Sequence, residues 1–193
     1  MKIKKIKYFA KGKRSIAYIG YYKNKKVIVK RSLKINTLKN EANFLKILNK
    51  YKIGPKLISY NDNKIIYEFV DGKRIIEWIK DNNKQKIKRI LLDILKKCRI
   101  LDELKINKKE LTNPYKHILI DKKAVMIDFE RCRFNKKPKN ITQFCQFLIS
   151  KRLYNIIKEK DFNINEYKLR KLLIKYKHSY SKGIFYDILR LID

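Results

Sequence analysis

Three cysteines, three prolines and five glycines are all that the 193 residues contain of the types that staple, kink or loosen a chain. Cys98, Cys132 and Cys145 are odd in number and lack metal-ligand spacing. That excludes a disulfide scaffold and a zinc ribbon, and fits free buried thiols in a reducing cytoplasm. No Pro-rich linker, internal repeat or low-complexity block divides the chain. No apolar run approaches ~18 residues, so no membrane span and no membrane partner are expected. The start, Met1 to Lys7, alternates apolar and basic residues where a signal peptide would carry an apolar core, and reads as a strand. Acidic residues are also scarce, 18 against 51 basic ones, for a net charge of +33. Such a field attracts phosphates in nucleotides, RNA, ribosomes or phospholipid surfaces. The alternative source of the lysines is genome composition or a hot habitat, with lysine filling most solvated positions. Arg forks, which suit phosphate recognition where geometry matters, are few.

What is present is a globular chain, 45% hydrophobic, long enough to bury roughly 70% of its unfolded surface without staples. Residues 2–9, 15–22 and 26–30 are short β-branched or aromatic segments separated by basic turns, and read as strands. Residues 37–50 read as an amphipathic helix with Asn36 as its cap. Leu57-Ile58 and Lys64 to Val70 read as two more strands around the turn Asn61-Asp62-Asn63. After Asp71-Gly72 the period becomes helical. A short helix holds Ile75, Ile76 and Ile79, and a long one runs to about Leu104. Further helices are predicted over 141–158, 165–179 and 183–192. Strands first and helices later give an α+β chain with two unequal lobes, a small β-rich N-lobe (1–71) and a reduced helical C-lobe (72–193), hinged at Asp71-Gly72.

One position breaks the amphipathic pattern. Leu38, Glu41, Leu45 and Leu48 share a helical face, so Glu41 points where the leucines point. A carboxylate there is costly unless a cation meets it. Eleven residues earlier, the apolar strand Val27-Ile28-Val29 ends in Lys30. A second juxtaposition comes from the hairpin expected over residues 117–128. Its strands, His117 to Ile120 and Ala124 to Asp128, flank the turn Asp121-Lys122-Lys123, so His117 and Asp128 would meet at one open mouth. A carboxylate at the end of an apolar strand suits magnesium, which takes one or two protein carboxylates plus phosphate oxygens. In the last helices, Leu169, Leu172, Leu173 and Tyr176 form an apolar stripe bordered by lysines, which reads as a solvated core helix or as a basic RNA surface. Tyr18, Tyr21 and Tyr22 read as packing residues rather than base-stacking ones.

The order of these features resembles the eukaryotic-type protein-kinase superfamily, especially its small atypical RIO-like archaeal members. Ala10-Lys11-Gly12-Lys13-Arg14-Ser15-Ile16-Ala17 stands where that family has its glycine loop, with Ala and Ser replacing two glycines. Val27-Ile28-Val29-Lys30 resembles the VAIK strand, and Glu41 the helix glutamate that positions its lysine on the α and β phosphates. Ile66 to Gly72 resembles the hinge that borders adenine, with Glu68 and Val70 offering backbone groups. Asp128-Phe129-Glu130 resembles DFG with its glycine replaced. The resemblance thus implies nucleotide contacts at Ala10, Gly12, Ser15, Ala17, Lys30, Glu41, Glu68 and Val70.

The catalytic loop departs most from that pattern. Where the family has H-R-D-x-x-x-x-N, this chain has Lys108 to His117. Glu110 matches the catalytic Asp. His117 matches the metal-binding Asn after a two-residue insertion, and Asn113 is an alternative amide donor; imidazole is a poorer magnesium ligand than oxygen. No A-P-E motif follows Asp128, as in other small kinases of this type. The resemblance implies a cytoplasmic serine/threonine protein kinase using ATP and Mg²⁺ and acting on a protein substrate. Glu110 and Lys30 would be catalytic, and Asp128 and His117 would hold metal. The rivals are a nucleotide-binding pseudokinase or RNA/ribosome-associated adaptor, and a small-molecule kinase, against which the short C-terminal region counts.

Overall fold

β-Branched and aromatic residues crowd the first thirty positions and form three successive antiparallel strands: β1 (Lys4–Lys11), β2 (Ser15–Tyr22) and β3 (Lys25–Ser32). The computed structural model describes residues 2–33 and 37–192, so the expected cap Asn36 lies outside the described residues. Next come α1 (Thr37–Asn49), β4 (Leu57–Tyr60) and β5 (Lys64–Glu68). Among the described residues the resulting sheet has five strands, in the order β1-β2-β3-β5-β4. The chain divides into two compact units, one of residues 1–71 with 125–132, the other of 72–124 with 133–193. The fold is α+β, with the strands concentrated in the first unit and the helices in the second.

In the first unit, strand alternation sends Val27 and Val29 to one face of the sheet and Ile28 and Lys30 to the other. Val27, Val29 and Ile66 form a small core beneath Ile3, Tyr18, Tyr22 and Ile58, so Tyr18 and Tyr22 pack as expected, whereas Tyr21 on the other face is exposed. Leu38, Ala42, Leu45 and Leu48 of α1 are all buried. Asn49 anchors the exit from α1: its amide donates to Pro55 O at 2.9 Å and its Oδ1 accepts from Leu57 N at 2.7 Å. The later segment 125–132 joins this unit through Met126 N, which donates to Ile53 O at 3.0 Å. Phe129 fills the space beside Gly54, where an added Cβ would lie 2.6 Å from Leu45 Cδ2 and 2.9 Å from Phe129 Cε2. Glycine is therefore required at 54 by close approach.

The second unit holds β6 (Lys73–Arg74), α2 (Ile75–Lys80), α3 (Lys84–Glu103), β7 (Ile106–Asn107) and β8 (Ile118–Ile120). β9 (Ala124–Met126) carries the chain back toward the first unit. β10 (Arg133–Phe134), α4 (Asn140–Leu148), α5 (Lys151–Lys158), α6 (Glu166–Ser179) and α7 (Lys182–Arg190) complete it. Asn83, Asn165 and Ser181 cap α3, α6 and α7 by accepting from the backbone N–H three residues on.

Some boundaries differ from the sequence expectation. β1 runs through Lys11 because Lys11 still pairs with Ile16 across a tight turn. β5 stops at Glu68, one residue before a last bond from Phe69 N to Lys26 O of β3. The helix expected over 141–158 is two helices. Ser150 adopts extended dihedrals, its hydroxyl donates to Phe147 O at 2.6 Å, and its own carbonyl starts α5. Serine's local hydrogen bonding competes with helix continuation there.

Candidate active site

Lys30 sits between Ala17 of β2 and Ile65 of β5 in the sheet register, which fixes its backbone on both sides. Its side chain emerges on the face opposite Val29 and is only 10% exposed. There its ammonium donates to Glu41 Oε2 at 2.8 Å. Glu41 is 1% exposed, one turn from Leu38 and Leu45 on α1. The sequence expectation that a cation must meet this carboxylate is what the geometry shows.

The segment after β9 brings two more carboxylates. Asp128, two residues past the strand, takes a left-handed backbone conformation (φ 63°). Its Oδ1 lies 3.4 Å from the Lys30 ammonium. Two residues on, Glu130 Oε1 lies at 2.6 Å from the same ammonium. Asn40, the neighbour of Glu41, fastens this segment: its side-chain amide donates to Glu130 O at 2.7 Å and to Cys132 O at 3.0 Å. Phe129 N donates to Glu41 Oε1 at 3.4 Å, so both oxygens of Glu41 are engaged.

Oxygens of Glu41, Asp128 and Glu130 lie within 4.8 Å of one another. One ammonium among three carboxylates leaves an excess of negative charge. Burial by itself would lower the Lys30 pKa, but the carboxylates, Glu41 first, outweigh it and hold it above the usual lysine value. The Glu41 pKa is raised, chiefly by burial and then by Asp128 and Glu130 against the opposing pull of Lys30. Tyr67, on β5 beside this group, has its phenol pKa raised by burial and then by the Glu41 carboxylate. All three shifts favour added protons, through burial for Glu41 and Tyr67 and through the carboxylates for Lys30. The oxygen donors suit a hard cation. Asp128, with its side chain 36% exposed, is the member best placed to reach one.

The remaining nucleotide candidates of the first unit lie along the strands. Ala10 and Ala17 face each other in the β1–β2 ladder. Gly12 N donates to Ser15 O at 2.8 Å, so the turn is closed by its own hydrogen bond, and Ser15 is buried. An added Cβ on Gly12 would meet only Ser15 O, at 3.5 Å, so nothing local demands glycine. In the hinge-like segment, Glu68 N bonds Lys56 O and Phe69 N bonds Lys26 O. Glu68 also pairs with Lys25 at 3.7 Å, a partly solvated contact.

The second unit carries the other candidates. Glu110 lies in a 3-10 turn over Lys109–Thr112, with its side chain 3% exposed and Oε2 at 3.3 Å from the ammonium of Lys108, which is itself fully buried. His117 ends a following turn begun by Pro114, donating its N–H to Pro114 O at 2.9 Å, and leads into β8. Asn113 between the turns is exposed. The loop is held from beneath by Asn140. Its Oδ1 accepts from Lys108 N at 2.9 Å, and its amide donates to Ile106 O at 2.6 Å and to Asp102 Oδ1 at 2.7 Å. Asp102 also accepts from Tyr176 at 3.2 Å. Its pKa is raised by burial, which these hydrogen bonds only partly offset.

Sequence reasoning missed Glu130, Asn40, Lys108 and Asn140. Glu130 carried a signal, because it is an acidic residue in a chain poor in them, directly beside a strand-end Asp. Lys108 carried none in a chain where lysine is ubiquitous.

Comparison with known proteins adds two matches. A family model described as RIO domain matches residues 1–145. The uncharacterized protein MJ1211 of Methanocaldococcus jannaschii is 31% identical over 113 residues, which cover 57% of this chain and 97% of that one.

Proposed function

The chain belongs to the RIO domain family of atypical protein kinases, and from that membership we propose that it transfers the γ-phosphate of ATP, with Mg²⁺, to a serine or threonine hydroxyl of a protein substrate. The observation that carries this is the buried Lys30–Glu41 pair with Asp128 beside it. A lysine so held is kept charged and in one rotamer, ready to meet triphosphate oxygens. Glu41 is the positioning residue. Asp128 would hold the metal, whose charge offsets that of the phosphate oxygens.

Along the nucleotide, the turn at Gly12 would lie over the phosphates, flanked by Ala10, Ser15 and Ala17. The backbone groups of Glu68 and Val70 would meet the adenine edge. With the N–H of Glu68 and Phe69 already used inside the sheet, the N–H of Val70 is the donor we assign to the base. In the second unit, Glu110 is assigned the acceptor hydroxyl by its place in the chain. The Lys108 ammonium, 3.3 Å from its Oε2, would hold the carboxylate in place beneath that hydroxyl. His117 is assigned to the metal or a phosphate on the same ground.

The test is phosphate transfer from γ-labelled ATP with Mg²⁺, comparing the wild type with Asp128→Ala. Incorporation by the wild type that falls at least a hundredfold in the variant is expected. Equal incorporation by both would refute the assignment of Asp128, and no incorporation with retained nucleotide binding would favour a second reading. That reading is a nucleotide-binding adaptor. It is favoured by Glu110, which replaces the expected Asp and is enclosed against Lys108. The charge of +33 suits RNA or a ribosome as its partner.

A further inference from the structure

A trough crosses the outer side of α3, wholly within the second unit. At one end, Arg89, Asp93 and Lys96 on α3 and Lys122 and Lys123 in the turn after β8 enclose a pocket of about 290 Å³. At the other, Leu92 and Lys96 are joined by Tyr186, Leu189 and Arg190 of α7 around a pocket of about 230 Å³. Leu92 and Lys96 line both, so the two pockets adjoin along α3.

The charges in this trough are not balanced from within. Its one carboxylate in the first pocket, Asp93, is already occupied by Lys97 Nζ at 2.6 Å and Ala124 N at 3.0 Å. Among the described residues, the side chains of Arg89, Lys96, Lys122 and Lys123 make no ion pair or hydrogen bond, and all four residues are exposed. Gathering like charges at a concavity costs energy unless a counter-charge comes from outside. Leu92 and Leu189 are half-buried at the floor between these cations. On α3 the core is made by Ile87, Ile90, Leu91, Ile94, Leu95, Cys98 and Leu101. Leu92 lies off that stripe, beside the cations of positions 89 and 96, where a solvated helix face would carry a polar residue.

We propose that this trough docks an acidic protein segment whose leucine-like side chains enter between its cations. Carboxylates would pair with Lys122, Lys123, Arg89 and Lys96, and an aliphatic side chain would cover Leu92 and Leu189. The floor decides against RNA. Stacking needs planar rings, and Tyr186, 48% exposed, is the one ring on the lining, beside two branched aliphatic chains. The inference goes beyond phosphate transfer and requires nothing of the charged cluster around Lys30.

The test is fluorescence anisotropy on the full chain with a labelled twelve-residue peptide in which leucines alternate with aspartates and glutamates. Oligoglutamate of equal charge and an oligouridylate of equal length are the competitors. The leucine-bearing peptide should bind at least tenfold tighter than oligoglutamate. Lys122→Glu with Lys123→Glu should weaken it at least tenfold, and Leu92→Ala at least threefold with an unchanged melting temperature. The same charge change on α6, Lys175→Glu with Lys177→Glu, should leave affinity within twofold. Equal binding of oligoglutamate, equal loss in the α6 variant, or tighter binding of the oligouridylate would each overturn the proposal.

Discussion

The Lys30 ammonium stands closer to Glu130, at 2.6 Å, than to Glu41, at 2.8 Å, or to Asp128, at 3.4 Å. A lysine assigned to phosphates is thus already bonded to a carboxylate whose backbone is tied to α1 by Asn40. An incoming triphosphate must compete with that carboxylate for the ammonium and approach its negative charge. Glu130→Gln removes the charge and weakens the competing hydrogen bond. The variant should bind Mg²⁺-ATP about three- to tenfold tighter, the worth of roughly 1 kcal/mol, with adenosine affinity unchanged in calorimetric titrations. Equal ATP affinity in both proteins would mean that Glu130 yields without cost; absence of nucleotide binding in both would refute the nucleotide site itself.

Removing the cation should expose the cost of burying Glu41. Lys30→Met leaves that carboxylate facing Asp128 and Glu130 alone, a loss of about 3–5 kcal/mol if it stays charged. Its folded pKa is already raised and should rise further. A group with a raised folded pKa binds more protons when folded, so the variant should regain stability as pH falls from 8 toward 5. The wild type has a limb of the same sign, placed at strongly alkaline pH. Lys30 also has a raised folded pKa, so its contribution is complete below 10.5 and is lost as pH climbs through the higher folded value. Urea denaturation across this range checks both, and Lys30→Met with Glu41→Gln should restore most of the loss at pH 8.

Two glycines should behave oppositely. Gly54→Ala forces a methyl into Leu45 and Phe129 and should cost about 1–3 kcal/mol. It should also weaken ATP binding, since Phe129 carries Asp128 and Glu130 on either side. Gly12→Ala has room beside Ser15 O and should leave the melting temperature within a degree or two. A neutral Gly54→Ala would show that the contact between α1 and the segment after β9 is looser than described.

Asn140→Ala should destabilise the second unit by about 2–6 kcal/mol, because it orphans the Lys108 N–H and the Ile106 carbonyl at about 1–3 kcal/mol each. Asn140→Asp keeps an acceptor for Lys108 N but sets a second carboxylate against Asp102, raising the folded pKa of the pair. That variant should be poorest near pH 8 and improve toward pH 5. Thermal melts at the two pH values separate the variants, since Asn140→Ala leaves one buried carboxyl in place of two and should recover less.

How much of this was legible beforehand follows from physical cause. Glu41 announced itself by standing on an apolar helix face, and Lys30 by ending an apolar strand. The fold class followed from β-branched segments giving way to helical periods. The break between α4 and α5 was hidden, because the apolar pattern runs through it and only a serine hydroxyl bond interrupts the helix. Lys108 was hidden by composition, one buried lysine among many solvated ones. Glu130 was read as the loss of a glycine, and its pairing depends on the left-handed turn at Asp128, which an Asp permits but does not advertise.

The first unit is assembled from two stretches of chain separated by more than fifty residues. During synthesis, the strands and α1 leave the ribosome without Met126 and Phe129 to close their core and without two of the carboxylates around Lys30. At roughly 5–20 residues per second, the nascent sheet waits several seconds for its missing piece, and a fragment ending at Asp71 would remain in that incomplete condition.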